Sequence, residues 1–156
     1  VAPDEAADWL MARHAGLVAI PAWGETALFH NPDGRFARGA YFATIKTDDG
    51  AHDRASRLGR GRWRLNFGLS TADYASLFGP KPARPAKGSI IEGPWDFQAT
   101  GVLTPHPVYG WMGWAAIINP EATQLDAMQP LLAAAHARAA RTWAKRISRA
   151  RLPARS

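Results

Sequence analysis

At 156 residues, with 47% hydrophobic side chains, seven Trp and six Phe, the chain has the size of one domain and the material for a core without metal or disulfide support. It contains no cysteine, which excludes disulfides, zinc–thiolate sites and thiol nucleophiles, and no run of about 18 apolar residues, so no membrane-spanning helix is expected. The net charge of +6 is uneven: seven of the 19 Lys and Arg come after His136, no acid comes after Asp126, and the remaining 12 stand against 13 acids, a net of −1 over residues 1–137.

The high pI therefore belongs to the C-terminal segment. Residues 1–137 are read as a single domain and 138–156 as a basic helix end and tail. The opening Val1-Ala-Pro-Asp-Glu5 places acid where a signal peptide carries Lys or Arg, so a cytoplasmic protein is expected.

In chain order, Pro3 to His14 predicts a helix, with acids near its start, Arg13 near its end, and Ala6 and Leu10 on one face. Leu17–Ile20 and Thr26–His30 read as extended. Asn31-Pro-Asp-Gly34 is a turn. Tyr41–Thr47 is the next strand, with Tyr41, Ala43 and Ile45 expected on one face and Phe42, Thr44 and Lys46 on the other. Residues 51–61 are polar and Arg-rich. From Arg62 to Leu69 the pattern has period two: Trp63, Leu65 and Phe67 are expected inside, Arg62, Arg64 and Asn66 in solvent. Ser70 caps a short helix that Gly79-Pro80 stops, and residues 81–88 form a loop.

Leu103–Pro120 organises the second half. Pro105 and Pro107 stiffen a corner around His106. Trp114–Ile118 predicts a buried strand, and Asn119-Pro120 a helix start with Asn119 as N-cap. Pro130 is expected to divide the C-terminal helical region into a short helix and a long one, the latter with an apolar stripe of Leu132, Ala135, Ala139, Trp143 and Ile147.

Three groups of residues are candidates for function. The corner brings His106, Tyr109 and Trp111 close in sequence, an imidazole, a phenol and an indole suited to hold a small ligand; the plainer reading is a structural corner. Arg62 and Arg64, two apart on a strand, suit a carboxylate or phosphate; alternatively their stems cover apolar surface. Arg138, Arg141, Lys145 and Arg149 form a basic stripe suited to nucleic acid or an acidic partner, or a solvated helix end. Asp48, Asp49, His52 and Asp53 have ligand types but match no metal loop and read as a polar turn. No phosphate-loop, dinucleotide, zinc-protease or serine-hydrolase signature is present, so no catalytic residue, cofactor or metal is assigned.

Ala43-Thr-Ile-Lys-Thr47, Arg64-Leu-Asn-Phe-Gly68, Tyr74-Ala-Ser-Leu-Phe-Gly79, Pro105-His-Pro-Val-Tyr109, Trp114–Pro120 and Pro130-Leu-Leu132 together resemble an uncharacterised bacterial family of unknown function, over about residues 25–140. More distantly, Phe36-Ala37, Ile45-Lys46 and Trp114 with its following helix resemble the MmcQ/YjbR family, small α+β proteins often described as DNA-binding; Ala135-His136 stands where that family usually has Ser-Tyr. The expected fold is α+β, an antiparallel sheet with helices packed mainly on one face in a YjbR-like two-layer arrangement. The expected function is a non-catalytic binding protein that contacts nucleic acid through the basic residues, or a small-ligand-binding protein with a pocket at the His106–Tyr109 corner.

Overall fold

The computed structural model describes residues 1–22 and 25–151. Six strands form one antiparallel sheet: β1 (Leu17–Ala22), β2 (Glu25–His30), β3 (Ala40–Lys46), β4 (Arg64–Gly68), β5 (Thr104–Pro105) and β6 (Trp114–Ile118), in the order β1-β2-β3-β4-β6-β5. Four α-helices accompany it among the described residues: α1 (Pro3–Arg13), α2 (Thr71–Phe78), α3 (Ala122–Ala127) and α4 (Gln129–Ala150). The chain is thus α+β, as expected.

One face of the sheet carries the helices. Leu28, Ala43, Ile45, Leu65, Phe67, Ala115 and Ile117 meet Ala6 and Leu10 of α1, Tyr74 of α2, Leu125 of α3 and Leu132, Ala135 and Ala139 of α4 in one buried cluster. The division at Pro130 occurs as predicted: α3 ends at Ala127, and Pro130 occupies the first turn of α4, where its missing N–H costs nothing. Ser70 caps α2 by accepting the Asp73 N–H.

Two histidines tie α4 and β2 to the end of α1. The Ala15 carbonyl accepts from His30 Nδ1 at 3.1 Å and from His136 Nε2 at 2.8 Å, while His14 Nδ1 donates to the Leu10 carbonyl at 2.9 Å. The His136 ring centroid lies 5.2 Å from that of His14 and 5.1 Å from that of His30.

Three expectations are corrected. A register shift between Leu28 and Phe29 pairs Leu28 with Ala43 but Phe29 with Tyr41, leaving Phe42 as the extra residue of a bulge. Phe42 joins Ala43 and Ile45 in the core, and Tyr41 goes to the opposite face, exposed. Trp114 is partly buried on that same outer face, because Ala115 and Ile117 are the residues of β6 that point to the helices. Asn119 does not cap a helix. Its φ of +47°, a conformation Asn tolerates better than most residues, turns it back to Trp63: the Asn119 side-chain oxygen accepts the Trp63 N–H at 2.9 Å, and the Asn119 N–H reaches the Trp63 carbonyl at 3.0 Å. Glu121 takes the N-cap position, its own N–H bonded to the Gln124 side chain.

Candidate functional site

The outer face of the sheet was expected to be solvated. It is buried at its centre, and by polar groups. Arg64 and Asn66 alternate with Leu65 and Phe67 along β4, so they point away from the helices, yet Arg64 is 1% exposed and Asn66 fully buried. The polar loop after β3 covers them. Arg64 makes a two-pronged ion pair with Asp53, donates from Nη1 to Ser56 Oγ at 2.8 Å, and from Nε to Asn66 Oδ1 at 2.7 Å. Asn66 in turn donates to Thr44 Oγ1 at 3.0 Å. The guanidinium presents its donors in a fixed fork, which a carboxylate, a hydroxyl and an amide oxygen here occupy.

Arg62 stands just before β4. Its guanidinium donates to the carbonyls of Arg57, Ser56 and Gln98. The two arginines therefore do not form an open anion clamp: both fasten the loop, one by its backbone and one by Asp53. Asp53 is the buried charged partner at this site that sequence reasoning missed. It belonged to the acidic turn set aside as polar; the signal was an acid immediately before the five arginines between residues 54 and 64, near a strand that proved buried on both sides. Burial raises the Asp53 pKa, but hydrogen bonds from Arg64 and its charge outweigh this, with His106 and Lys46 adding, and hold the carboxyl below its ordinary value.

His106 enters the same network from the stiff corner, which β5 and a 3-10 turn at Gly110–Met112 fix in place. Its Nδ1 accepts the backbone N–H groups of Val108 and Tyr109, each at 3.1 Å. Two backbone donors at Nδ1 favour the tautomer protonated on Nε2. Nε2 lies 3.1 Å from Arg64 Nη2, which has no lone pair to offer, and 3.8 Å from Asp53 Oδ2. His106 is 3% exposed. Burial and then the Arg64 charge lower its pKa to about 3, Lys46 adding and Asp53 opposing, so the ring is neutral at physiological pH.

Against His106 the outer face opens into a cleft of about 320 Å³, lined by Glu25, Tyr41, Thr44, His106, Tyr109, Met112 and Trp114. Tyr41 and Trp114 stand nearly perpendicular with centroids 6.5 Å apart, and Tyr109 lies 5.0 Å from the His106 ring. Tyr41, Tyr109 and Met112 are each about half exposed, which is unusual for large apolar side chains gathered at one place. Of the three corner residues grouped by sequence, the structure brings His106 and Tyr109 together at this cleft. Trp111 turns away: the Arg84 guanidinium lies 4.8 Å above its ring, in a separate depression shared with His52 and Val108.

The basic residues of α4 divide similarly. Arg138 is partly buried and donates to the Gly68 carbonyl at the end of β4. Arg146 donates to the Arg38 carbonyl and covers the Phe36 ring at 4.0 Å. Arg141, Lys145 and Arg149 are exposed at four-residue spacing, on one side of the helix. Arg155 lies outside the described residues. Among the described residues, no group of three or more His, Asp or Glu side chains is placed to hold a metal ion, and no helix is long and apolar enough to cross a membrane.

A family model spans nearly all of this structure, from α1 through most of α4. The chain belongs to the DUF6194 family, a family of unknown function, matched over residues 1–148. This agrees with the resemblance to an uncharacterised family and carries no link to the MmcQ/YjbR proteins. No curated protein and no solved structure matches the chain.

Proposed function

We propose that this DUF6194 protein is a small-ligand-binding protein whose site is the outer-face cleft at the His106–Tyr109 corner. The observation that carries the reading is the cleft itself: half-exposed aromatic and Met side chains gathered around a buried histidine whose orientation two backbone N–H groups fix. Ligand sites typically combine apolar walls with a few held polar groups, and a rigid polar floor spares the ordering cost of binding. The outer face also lacks what a nucleic-acid surface needs: Arg62 and Arg64 are engaged within the fold and present no open basic plane.

The test is a fluorine NMR screen of protein labelled with 5-fluorotryptophan, the Trp114 signal being assigned from Trp114→Phe. A bound small aromatic compound is expected to shift Trp114, to leave Trp143 on the helix side unmoved, to raise the melting temperature, and to lose its effect in Tyr109→Ala. Hits that move Trp143 alone, or that bind Tyr109→Ala undiminished, place binding elsewhere and defeat the reading.

A second reading rests on the spacing of Arg141, Lys145 and Arg149. As an exposed row of cations with no acid among them, they suit a phosphate backbone, in binding that is sequence-tolerant and steeply salt-dependent through counterion release. Reversing all three to Glu keeps good helix formers and the apolar stripe. Anisotropy of a labelled oligonucleotide at low salt should then show binding by the original chain and none by the reversed one; equal binding by both, or none by the original, removes this reading.

A further inference from the structure

The depression beside Trp111 adjoins the cleft across Tyr109. It measures about 380 Å³, and His52, Arg84, Lys87, Ser89 and Trp111 line it together with Tyr109, which also lines the cleft. A ligand lying across this half-exposed ring touches both sides.

The two linings differ in charge. Glu25 is the one charged side chain lining the cleft, and Lys46 already pairs with it. The depression has two cations, Arg84 and Lys87, and no acid among its lining residues. Both are exposed, and neither makes a hydrogen bond or an ion pair among the described residues. Acids flanking the lining residues in sequence do not neutralise them. Asp53 is engaged with Arg64, and Glu92 alone stands against Lys81, Arg84 and Lys87 over residues 81–92, a net of +2.

Local structure holds these cations in place. The Arg84 guanidinium lies 4.8 Å from the centroid of the Trp111 ring, which attracts the charge but offers no acceptor oxygen. Pro82 and Pro85 fix φ on either side of Arg84, and the Ser89 N–H closes a turn around Lys87 onto the Ala86 carbonyl at 2.9 Å. A loop set in this way loses little further freedom on binding.

We infer that the depression takes the phosphate of an aromatic phosphate monoester whose ring lies in the cleft, an assignment that rests on the cleft being the ligand site. A guanidinium fork and a compact ammonium suit a tetrahedral oxyanion carrying about two negative charges at neutral pH. The apolar walls of the cleft suit the ring, and Tyr109 joins the two sides.

The full chain labelled with 5-fluorotryptophan is titrated with 2-naphthyl phosphate, 2-naphthyl sulfate and 2-naphthol, followed by calorimetry and fluorine NMR, the Trp111 signal being assigned from Trp111→Phe. These probes share the ring and differ in the charge of the head group. The phosphate is expected to shift both Trp111 and Trp114 and to bind about tenfold or more tighter than the naphthol, which shifts Trp114 alone. The sulfate, with a single charge, should fall between them. Arg84 and Lys87 are exposed, so the double variant Arg84→Gln with Lys87→Gln should fold normally, keep naphthol binding and lose the advantage of the phosphate. With Trp114 responding, any of four results overturns the inference and leaves the cleft reading standing: naphthol or sulfate binding as tightly as the phosphate, Trp111 unmoved by the phosphate, or an advantage that survives the double variant. If no probe moves Trp114, both fall.

Discussion

The two faces of β4 are buried by opposite means. Toward the helices, Leu65 and Phe67 disappear into aliphatic and aromatic packing; away from them, Arg64 and Asn66 disappear just as fully into hydrogen bonds with a loop. The apolar face gains free energy in proportion to area removed from water and accepts many sequences of similar volume. The polar face gains little net stability but demands particular partners, since any missing member leaves a buried charge or dipole unanswered. The cleft proposed as the ligand site lies on the face where geometry is specified, and the helices cover the face where volume is.

Acidification should produce the largest effect and should reach both faces. His106 on the outer face has its pKa lowered to about 3; on the helix side, burial chiefly lowers those of His14 and His30. In the unfolded chain each takes a proton near 6.5, whereas the folded state refuses it until lower pH, so stability falls as pH drops below 6.5 and continues to fall toward about 3. The lowered pKa of Asp53 adds to the loss only below its ordinary value of 3.8. Urea midpoints at about pH 7, 5.5 and 4.5 should decrease in that order; a flat series would mean that these rings are not held neutral.

Next in size is Phe67→Ala, which empties a fully buried aromatic site and should cost about 3–5 kcal/mol in urea unfolding. Arg64→Ala should cost about 3 kcal/mol, because it strands Asp53, whose side chain is 13% exposed. The double variant Arg64→Met with Asp53→Ala separates the faces: removing both charges should recover part of the loss, whereas no second substitution nearby can repair the Phe67 cavity as cheaply. If the double variant is as unstable as the sum of its parts, the pair is not coupled, and the outer face is held by packing after all.

The smallest effect belongs to Trp114→Ala, about 1 kcal/mol, since part of the indole is already in water at the cleft. A loss of about 3 kcal/mol or more would put Trp114 in the core, as the sequence alone suggested.

Legibility in the sequence divides along the same line. The parity of β4 was legible, because alternation at Trp63, Leu65 and Phe67 is a local signal; that Arg64 and Asn66 face outward was equally legible. That the outward side is buried was not, because its cover comes from residues 53 and 56, and an acid standing before an Arg-rich run does not say which arginine it will meet. The reversed face of Tyr41 has a different cause: one bulged residue inverts every parity beyond it, and no residue type announces a bulge at Phe42. Half of the candidate site was visible in the stiff His106–Tyr109 corner. Glu25, Tyr41 and Thr44 were not, since the pairing of β2 with β3 brings them together. Pro130 was read correctly because a proline acts on its own backbone, whereas Asn119 was misread because the choice between capping a helix and turning back to Trp63 is made by a strand 56 residues away.

The order of the strands leaves β1 and β5 at the two margins of the sheet, and each contains a proline, Pro21 and Pro105. A proline has no N–H to give to a further strand, and β5 is only two residues long. A chain arriving at either margin finds an interrupted ladder on one side and almost no ladder on the other. Natural sheets resist edge-to-edge polymerisation by such means. The same Pro105 that stiffens the corner around His106 therefore also helps keep neighbouring molecules from continuing the sheet.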